Sequence, residues 1–423
     1  MFSIFLYLFK IIKKYDKIYI IKQFIERKRV MQNSFKEYAA NSNNNKWNNI
    51  ISRNKNLYKR NNDIRSEFER DYTRIIHSTA YRRMKHKTQV FFSPQNDHIC
   101  TRAEHVMHVE SISYTIAKYL GLNTELTKAI ATAHDIGHSP FGHQGEKILS
   151  EISIRDIGES FWHEKNGLNM VDNIELLSDP NGNLQNLNLT YAVRDGIISH
   201  CGEIDENRIK PRDIYIDLNN YNKPNQYAPY TWEACVVKIS DKISYLGRDI
   251  SDAITLGILD KDLKELYKIL NIKSNNIINN TVIINKLIYD LCNYSNPNDG
   301  LCFSYEIFDL INTLKKFNYE KIYLSDKLIK SNKYFELILN EIYNTLKESY
   351  KNKKNAEQIC PSLINDFDNW LSNYWNKDRE TINKNDIIFN IENEKDYYKA
   401  IIYYISGMTD NYAIDMYNKI IKF

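Results

Sequence analysis

Apolar residues recur along this chain at helical rather than strand spacing. Val106, Val109, Ile112, Ile116 and Leu120 trace one stripe, and Leu126, Ala129, Ile130 and Ala133 trace another. A longer stripe runs through Trp232, Val236, Ile239, Ile243, Leu246 and Ile250. No sustained alternation of apolar and polar residues appears, so the pattern predicts an all-α fold, a helical bundle. Gly121 falls between the first two stripes, and Asn123 or Thr124 is placed to cap the second helix. His105 then lies near the start of one helix and His134-Asp135 at the end of its neighbour. Antiparallel packing brings them together.

Polar segments interrupt this pattern at Ser178–Asn188, which includes Asp-Pro-Asn-Gly, and at Asp205–Pro229. Both read as loops able to border the mouth of a site. Residues 41–62 are rich in asparagine and lysine and suit a mobile approach segment, with order beginning near Ile64. The expected organisation is a partly flexible N-terminal extension over 1–63, a catalytic core over 64–258, and a helical C-terminal subdomain over 259–423 packed on that core. Near the N-terminus Phe2–Phe9 is apolar, but Lys10, Lys13, Lys14 and Lys17 interrupt the run and no small-residue cleavage site follows. Neither a membrane span nor a signal peptide is expected. Residues 1–30 read as an extension ahead of a start at Met31, or as a weak amphipathic surface helix.

Composition narrows the classes. At 423 residues the chain can bury a large core, and its formal charge of +4 is too small for a dedicated duplex-binding protein. A local anion site is the better expectation. The six cysteines, Cys100, Cys201, Cys235, Cys292, Cys302 and Cys360, are scattered without a Cys-x-x-Cys pair. They read as reduced thiols of a cytoplasmic protein.

The candidate chemistry lies in His134-Asp135-Ile136-Gly137-His138-Ser139-Pro140-Phe141-Gly142-His143-Gln144-Gly145-Glu146, preceded by Thr101–His105. With Asp241, the residues His105, His134 and Asp135 have the composition of a divalent-metal site with room for water and a phosphate oxygen. That predicts metal-assisted hydrolysis of a phosphate ester. One ion per site is expected, with Mn, Fe, Co, Zn and Mg all open; a structural zinc site would more often use thiolates. His-Asp alone reads more readily as a satisfied core histidine and a helix-end aspartate, and it is Asp241 and the flanking motif that reverse this in favour of a ligand set.

His143 and Glu146 are three apart, so a helix beginning near Phe141 puts them on one face as a general acid or base pair. The plainer alternative makes Glu146 a first-turn acid on a surface helix. Gly137, Pro140 and Gly142 predict a sharp turn that returns His138 and His143 toward the metal. Asp241, Tyr245 and Asp249 recur every four residues, which offers a ligand, a ring to pack on a sugar and an acceptor for a ribose hydroxyl. A solvated acidic face is the alternative, and the apolar stripe on the same helix weakens it. Arg70–Phe91 is strongly basic; a charge run is commonly a solvated face, but one near His105 suits a polyphosphate tail.

Taken together these segments resemble the HD-domain deoxynucleoside triphosphate triphosphohydrolases, the dGTPase-like family. The likeness runs from about Arg70 to Gly257 and resumes at Tyr404–Ala413, similar to a C-terminal signature of that family. The resemblance implies an all-helical HD-domain bundle and a reaction that releases a deoxynucleoside and intact inorganic triphosphate. It implies His105, His134, Asp135 and Asp241 as metal ligands, His143 and Glu146 as the catalytic pair, and His163 as a further active-site histidine. Gln89, Tyr245 and Asp249 match residues that read the deoxyribose, Arg102 one near the base and α-phosphate, and His138 one near the phosphates. Lys242 stands where bacterial relatives often carry an acid and suits the phosphate tail; His108 stands where relatives often carry Glu. Deoxynucleoside triphosphates are the implied partners, self-association into homo-oligomers is expected by analogy, and single-stranded nucleic acid is an unsupported partner. Another HD-type phosphohydrolase or nuclease stays open, as does a silent nucleotide-binding regulator.

Overall fold

The structure is a computed structural model and describes residues 32–58, 63–92, 96–200, 207–259, 263–272 and 280–422. The expectations for residues 1–30 and a start at Met31 lie outside the described residues. Chain order gives helices α1 (Trp47–Ile50), α2 (Glu67–His77), α3 (Thr79–Arg83), α4 (Arg102–Leu120), α5 (Thr124–Ala133), α6 (Gly142–Asp156), α7 (His163–Asn169) and α8 (Tyr191–Ser199). The 24-residue α9 (Trp232–Thr255) follows. After it come α10 (Leu263–Ile269), α11 (Asn280–Tyr294), α12 (Tyr305–Asn318), α13 (Asp326–Lys351), α14 (Lys353–Ile359), α15 (Pro361–Trp375), α16 (Glu394–Ser406) and α17 (Asp410–Ile421). The fold is all-α.

Side-chain caps set the boundaries that matter for the site. Thr101 Oγ1 accepts from Glu104 N while Glu104 Oε2 accepts from Thr101 N at 2.7 Å, a reciprocal box that starts α4 three residues before His105. Gly121, at φ +82°, ends that helix in the left-handed region. Asn123 Oδ1 then accepts from Glu125 N and Leu126 N, starting α5, which runs directly into His134. Thr231 caps α9.

Three apolar cores hold the helices together. Val109 of α4, Ala129, Ile130 and Ala133 of α5, Ile197 of α8 and Val237 of α9 share one. Ile112 and Ile116 on a neighbouring face of α4 meet Ile243, Leu246 and Ile250 of α9, together with Leu287 of α11 and Leu314 of α12. Ile148, Leu149 and Ile152 of α6 pack instead with Ile338, Leu339 and Ile342 of α13 and with Ile401 and Ile405 of α16. The stripes on α4, α5 and α9 are therefore buried as periodicity requires.

Two segments differ from expectation. Residues 41–58 are not a mobile approach: Ala40 and Ile50 are buried, Trp47 packs edge-on to Phe68 at 5.8 Å, and Asn123 Nδ2 donates to Ala40 O. Order extends back before Ile64 because a few large anchors, Phe35 against Trp232 among them, suffice to seat the segment. Its asparagines serve turns, as where Asn41 and Asn44 accept from Asn43 N and Lys46 N. The second difference is at Ser178–Asn188, where part of the expected loop is the arm of a short antiparallel hairpin pairing Leu176–Ser178 (β1) with Leu184–Asn186 (β2). Asp179 Oδ1 accepts from Asn181 N and Asn183 N to close its turn.

Candidate active site

α4 supplies His105 and α5 ends at His134-Asp135, and the two imidazoles lie 5.5 Å apart between ring centres. α9 adds Asp241, whose Oδ1 is 2.9 Å from His105 Nε2 and 3.9 Å from His134 Nε2. Asp135 sits beside them, its Oδ1 3.6 Å from His134 Nε2 and its Oδ2 3.7 Å from His105 Nε2. All but Asp241 are nearly inaccessible to solvent.

Whether these residues fit a metal is decided by His134. Its Nδ1 is 2.6 Å from Ala131 O and donates there, so in the neutral ring it is Nε2 that carries the lone pair. That nitrogen is buried with no hydrogen-bond partner and faces two carboxylate oxygens. A lone pair aimed at lone pairs is repulsive unless a cation lies between them, so the set fits a divalent ion. The ligand atoms of His105, His134 and Asp241 all lie within 4.8 Å of one another.

The electrostatics agree. Although burial opposes ionisation, His105 holds the Asp241 carboxyl down at about 2 by a hydrogen bond and its charge. Burial pulls against the proton on His105, yet Asp241 and Asp135 raise its pKa above the ordinary histidine value. Asp135 is kept well below the carboxylate range despite burial, by His134 and by Arg102. Arg102 Nη1 binds Asp135 Oδ2 at 2.6 Å, and the guanidinium also donates to Thr88 O and Gln89 O. Arg102 is thus buried against this cluster of histidines and carboxylates.

The turn after His134 depends on close backbone approach. A Cβ on Gly137 would lie 2.1 Å from both Gly167 N and His163 O, so only glycine lets α7 rest against the turn. This contact stacks His163 on His138, with ring centres 3.8 Å apart. Phe141, at φ +63°, is a strained entry to α6; its N–H donates to Asp410 Oδ1 and its ring stacks on Phe335 at 4.3 Å. α6 then begins at Gly142, as the spacing predicts, and places His143 and Glu146 on one face.

Glu146 serves two histidines. Its Oε2 is 3.4 Å from His143 Nδ1 and 3.0 Å from His163 Nδ1. Burial works against the charge on Glu146, but His163 and His143 hold its pKa far below the ordinary range. His143 is exposed at the rim, whereas His163 is buried. His138 Nε2 lies 3.1 Å from Asp135 Oδ1, and burial, Arg102 and His163 keep His138 neutral well below its usual pKa.

Farther along α9, Lys242 and Tyr245 are half-buried and Asp249 is buried. Burial pushes the Asp249 carboxyl up to about 7. Gln89 stands beside Arg102 with a buried Oε1 that makes no hydrogen bond. Three cations of the basic run are engaged within the fold: Arg74 donates to Leu187 O and Asn186 O, Arg83 pairs with Glu175, and Lys87 donates to His138 O and Ser406 O, while Arg82, Lys85 and His86 are exposed. Buried carbonyls and acids consume the charges of Arg74, Arg83 and Lys87, so these serve the fold rather than a polyphosphate tail.

Two residues beside the site have no counterpart among the sequence expectations. Tyr323 donates to Asp249, and nothing in its surrounding sequence signals it. His200 ends α8, with its ring 5.0 Å from His134 and 5.4 Å from His163. A histidine closing a buried apolar helix, as His134 closes α5, was the available signal.

Comparison with known proteins agrees with this geometry. The HD domain family model matches residues 102–246, from the start of α4 to Leu246 of α9. A deoxyguanosinetriphosphate triphosphohydrolase-like protein of Caldanaerobacter subterraneus subsp. tengcongensis is 33% identical over 360 residues, covering 85% of this chain and 86% of the relative. Proteins of the same description from Pelagibacter ubique and Rickettsia rickettsii are 32% identical over 395 residues and 33% identical over 379. They are matched over 95% and 91% of their own lengths, with 85% and 84% of this chain covered.

Proposed function

The chain belongs to the deoxyguanosinetriphosphate triphosphohydrolase-like family of HD-domain proteins, and on that premise we propose that it hydrolyses deoxynucleoside triphosphates to deoxynucleoside and inorganic triphosphate. The observation that carries this reading is the placement of Asp241 and Asp249 on one helix, the first in a cluster of metal-type donors and the second buried two turns away. Such a helix spans the distance from a phosphate to the sugar that bears it.

In this reading His105, His134, Asp135 and Asp241 hold one divalent ion. When bound, the ion supplies Lewis acidity toward a phosphate oxygen and acidifies water. His143, with Nδ1 directed at Glu146, protonates the departing 5′-oxygen from Nε2. Glu146 keeps that imidazole oriented and basic, and the same carboxylate fixes His163. His138 and Lys242 lie toward the phosphates. Tyr245 packs on the deoxyribose, Asp249 accepts from a sugar hydroxyl, and Gln89 uses its unpaired amide oxygen in the same region. Arg102 acts mainly by neutralising and orienting Asp135, next to the base and α-phosphate.

The test is incubation of manganese-loaded protein with each dNTP and NTP, followed by chromatography of the products. Tripolyphosphate and a deoxynucleoside are expected. Orthophosphate or pyrophosphate would place the chain with other phosphohydrolases, and binding without turnover would make it a nucleotide-binding regulator. Assembly into homo-oligomers and a cytoplasmic location accompany the proposal; among the described residues no helix is long and apolar enough to cross a membrane.

A further inference from the structure

We infer that the cavity built on residues 404–412 binds a neutral planar aromatic molecule carrying a hydrogen-bond acceptor, and that its occupancy steadies the histidine turn. The cavity shares no residue with the metal set.

Its size and walls set the class of ligand. The cavity measures about 280 Å³, at the lower end of small-molecule pockets, which suits a molecule of one or two rings. Trp370 of α15, Tyr403 and Tyr404 of α16 and Tyr412 of α17 line it, and Met170 and Met408 add thioethers. Such surfaces hold a flat ring by stacking and by sulfur–aromatic contact. The rings are fixed before anything binds. Those of Trp370 and Tyr404 pack with centres 5.4 Å apart, the Tyr404 and Tyr412 hydroxyls are 3.1 Å apart, and Tyr412 donates to Asp366 Oδ2 at 2.7 Å. A preset wall gives up little side-chain entropy when a ligand arrives.

Arg83, at the end of α3, supplies the polar contact. Its Nη2 donates to Glu175 Oε1 at 2.9 Å, whereas Nε is buried with no hydrogen-bond partner and the side chain is 29% exposed. A side chain this accessible can turn an unspent N–H toward a ligand. Glu175 balances the charge of the guanidinium, and no other residue lining the cavity is charged. A carboxylate or phosphate would enter an apolar cleft with no net countercharge, while a neutral carbonyl or ring nitrogen uses a donor that is otherwise left over.

Behind the cavity wall lies the histidine turn. Gly407, Met408 and Thr409 line the cavity, and the residues on either side of them reach the turn. Ser406 O accepts from Lys87 Nζ, which also donates to His138 O, and Asp410 Oδ1 accepts from Phe141 N–H. Asn166 Nδ2 donates both to Ser406 Oγ and to Gly137 O. A ligand packed on residues 407–409 therefore favours the arrangement in which these bonds are made.

The experiment uses the full chain and three probes of matched size: benzamide, benzoate and cyclohexanecarboxamide. Binding is followed by saturation-transfer NMR, and the turn by hydrogen exchange read in peptides covering residues 137–145. Benzamide is expected to bind with a Kd below about 1 mM, and the charged and the non-planar probes about tenfold more weakly. Bound benzamide should slow exchange in 137–145, and Trp370→Ala should weaken its binding about tenfold. No binding of benzamide, or equal binding of all three probes, overturns the site on the wild type alone. Unchanged benzamide affinity in a Trp370→Ala protein that melts cooperatively overturns its placement. Binding that leaves exchange in 137–145 unaltered overturns the link to the turn. Neither readout involves dNTP turnover, so the result is separate from that of the proposed reaction.

Discussion

Tyr323 donates its hydroxyl to Asp249 Oδ2 across 2.5 Å, joining residues 74 apart in sequence. The tyrosine ends a short π-helical segment, Tyr319–Tyr323, that continues α12. The bond occupies one of the two carboxylate oxygens of Asp249.

That pairing predicts a pH-dependent stability. Asp249 is neutral in both folded and unfolded chains below about pH 4. Burial raises its folded pKa to about 7, so its stabilising contribution is complete at low pH and is lost as pH rises through that value. Tyr323→Phe removes a donor that favours the ionised form. It should destabilise the chain by about 1–3 kcal/mol, more at pH 8 than at pH 5. Equal shifts in urea midpoint at the two pH values would show that Asp249 does not ionise in this range.

Replacement of His143 should separate chemistry from metal binding. His143→Ala is expected to lower dNTP turnover about 10²–10⁴-fold while leaving metal content unchanged, because its ring is exposed at the rim. Asp241→Ala should instead reduce metal retention. Near-full turnover by His143→Ala would remove it as the acid.

Arg102→Ala strands a buried carboxylate. In metal-free protein the loss should be about 3–5 kcal/mol, since Asp135 is 3% exposed and has no other cation at 2.6 Å. Added Mn²⁺ neutralises the same carboxylate, so the variant should gain more in melting temperature from metal than the wild type does. An equal metal-induced gain in calorimetry would argue against Asp135 as a ligand.

Lys87→Met tests the strut beneath the histidine turn. Its Nζ donates to His138 O and Ser406 O, and an apolar replacement leaves two buried carbonyls without a donor. A cost of about 1–3 kcal/mol per carbonyl is expected in denaturant unfolding. A variant as stable as the wild type would mean that water replaces the ammonium group.

Much of the fold was legible because it rests on local signals. The stripes of α4, α5 and α9, the Asn123 cap and the Gly121 terminator are encoded within a few residues of where they act. The convergence of His105, His134, Asp135 and Asp241 followed from two neighbouring helices and one crossing helix. Long-range partners were not legible. No spacing links Tyr323 to Asp249 or His200 to Asp135, and the basic run looked like ligand surface because the carbonyls that absorb Arg74 and Lys87 lie about 113 and 319 residues away. The Asn-rich segment misled by composition, since Ile50 and Trp47 anchor what its polar residues suggested was loose.

Asp410 accepts from Thr88 N–H and hydroxyl through one oxygen and from Phe141 N–H through the other. It thereby ties the strained entry of α6 to the segment that carries Gln89. On the ribosome these partners emerge in a fixed order, and His143 and Glu146 are made some 265 residues before the carboxylate that braces their helix. The entry of α6 can acquire this brace only once Asp410 has been made, so a chain released before that residue carries His105, His134, Asp135 and Asp241 yet lacks the contact that holds Phe141. The geometry around Phe141 is in this sense completed after the residues it positions.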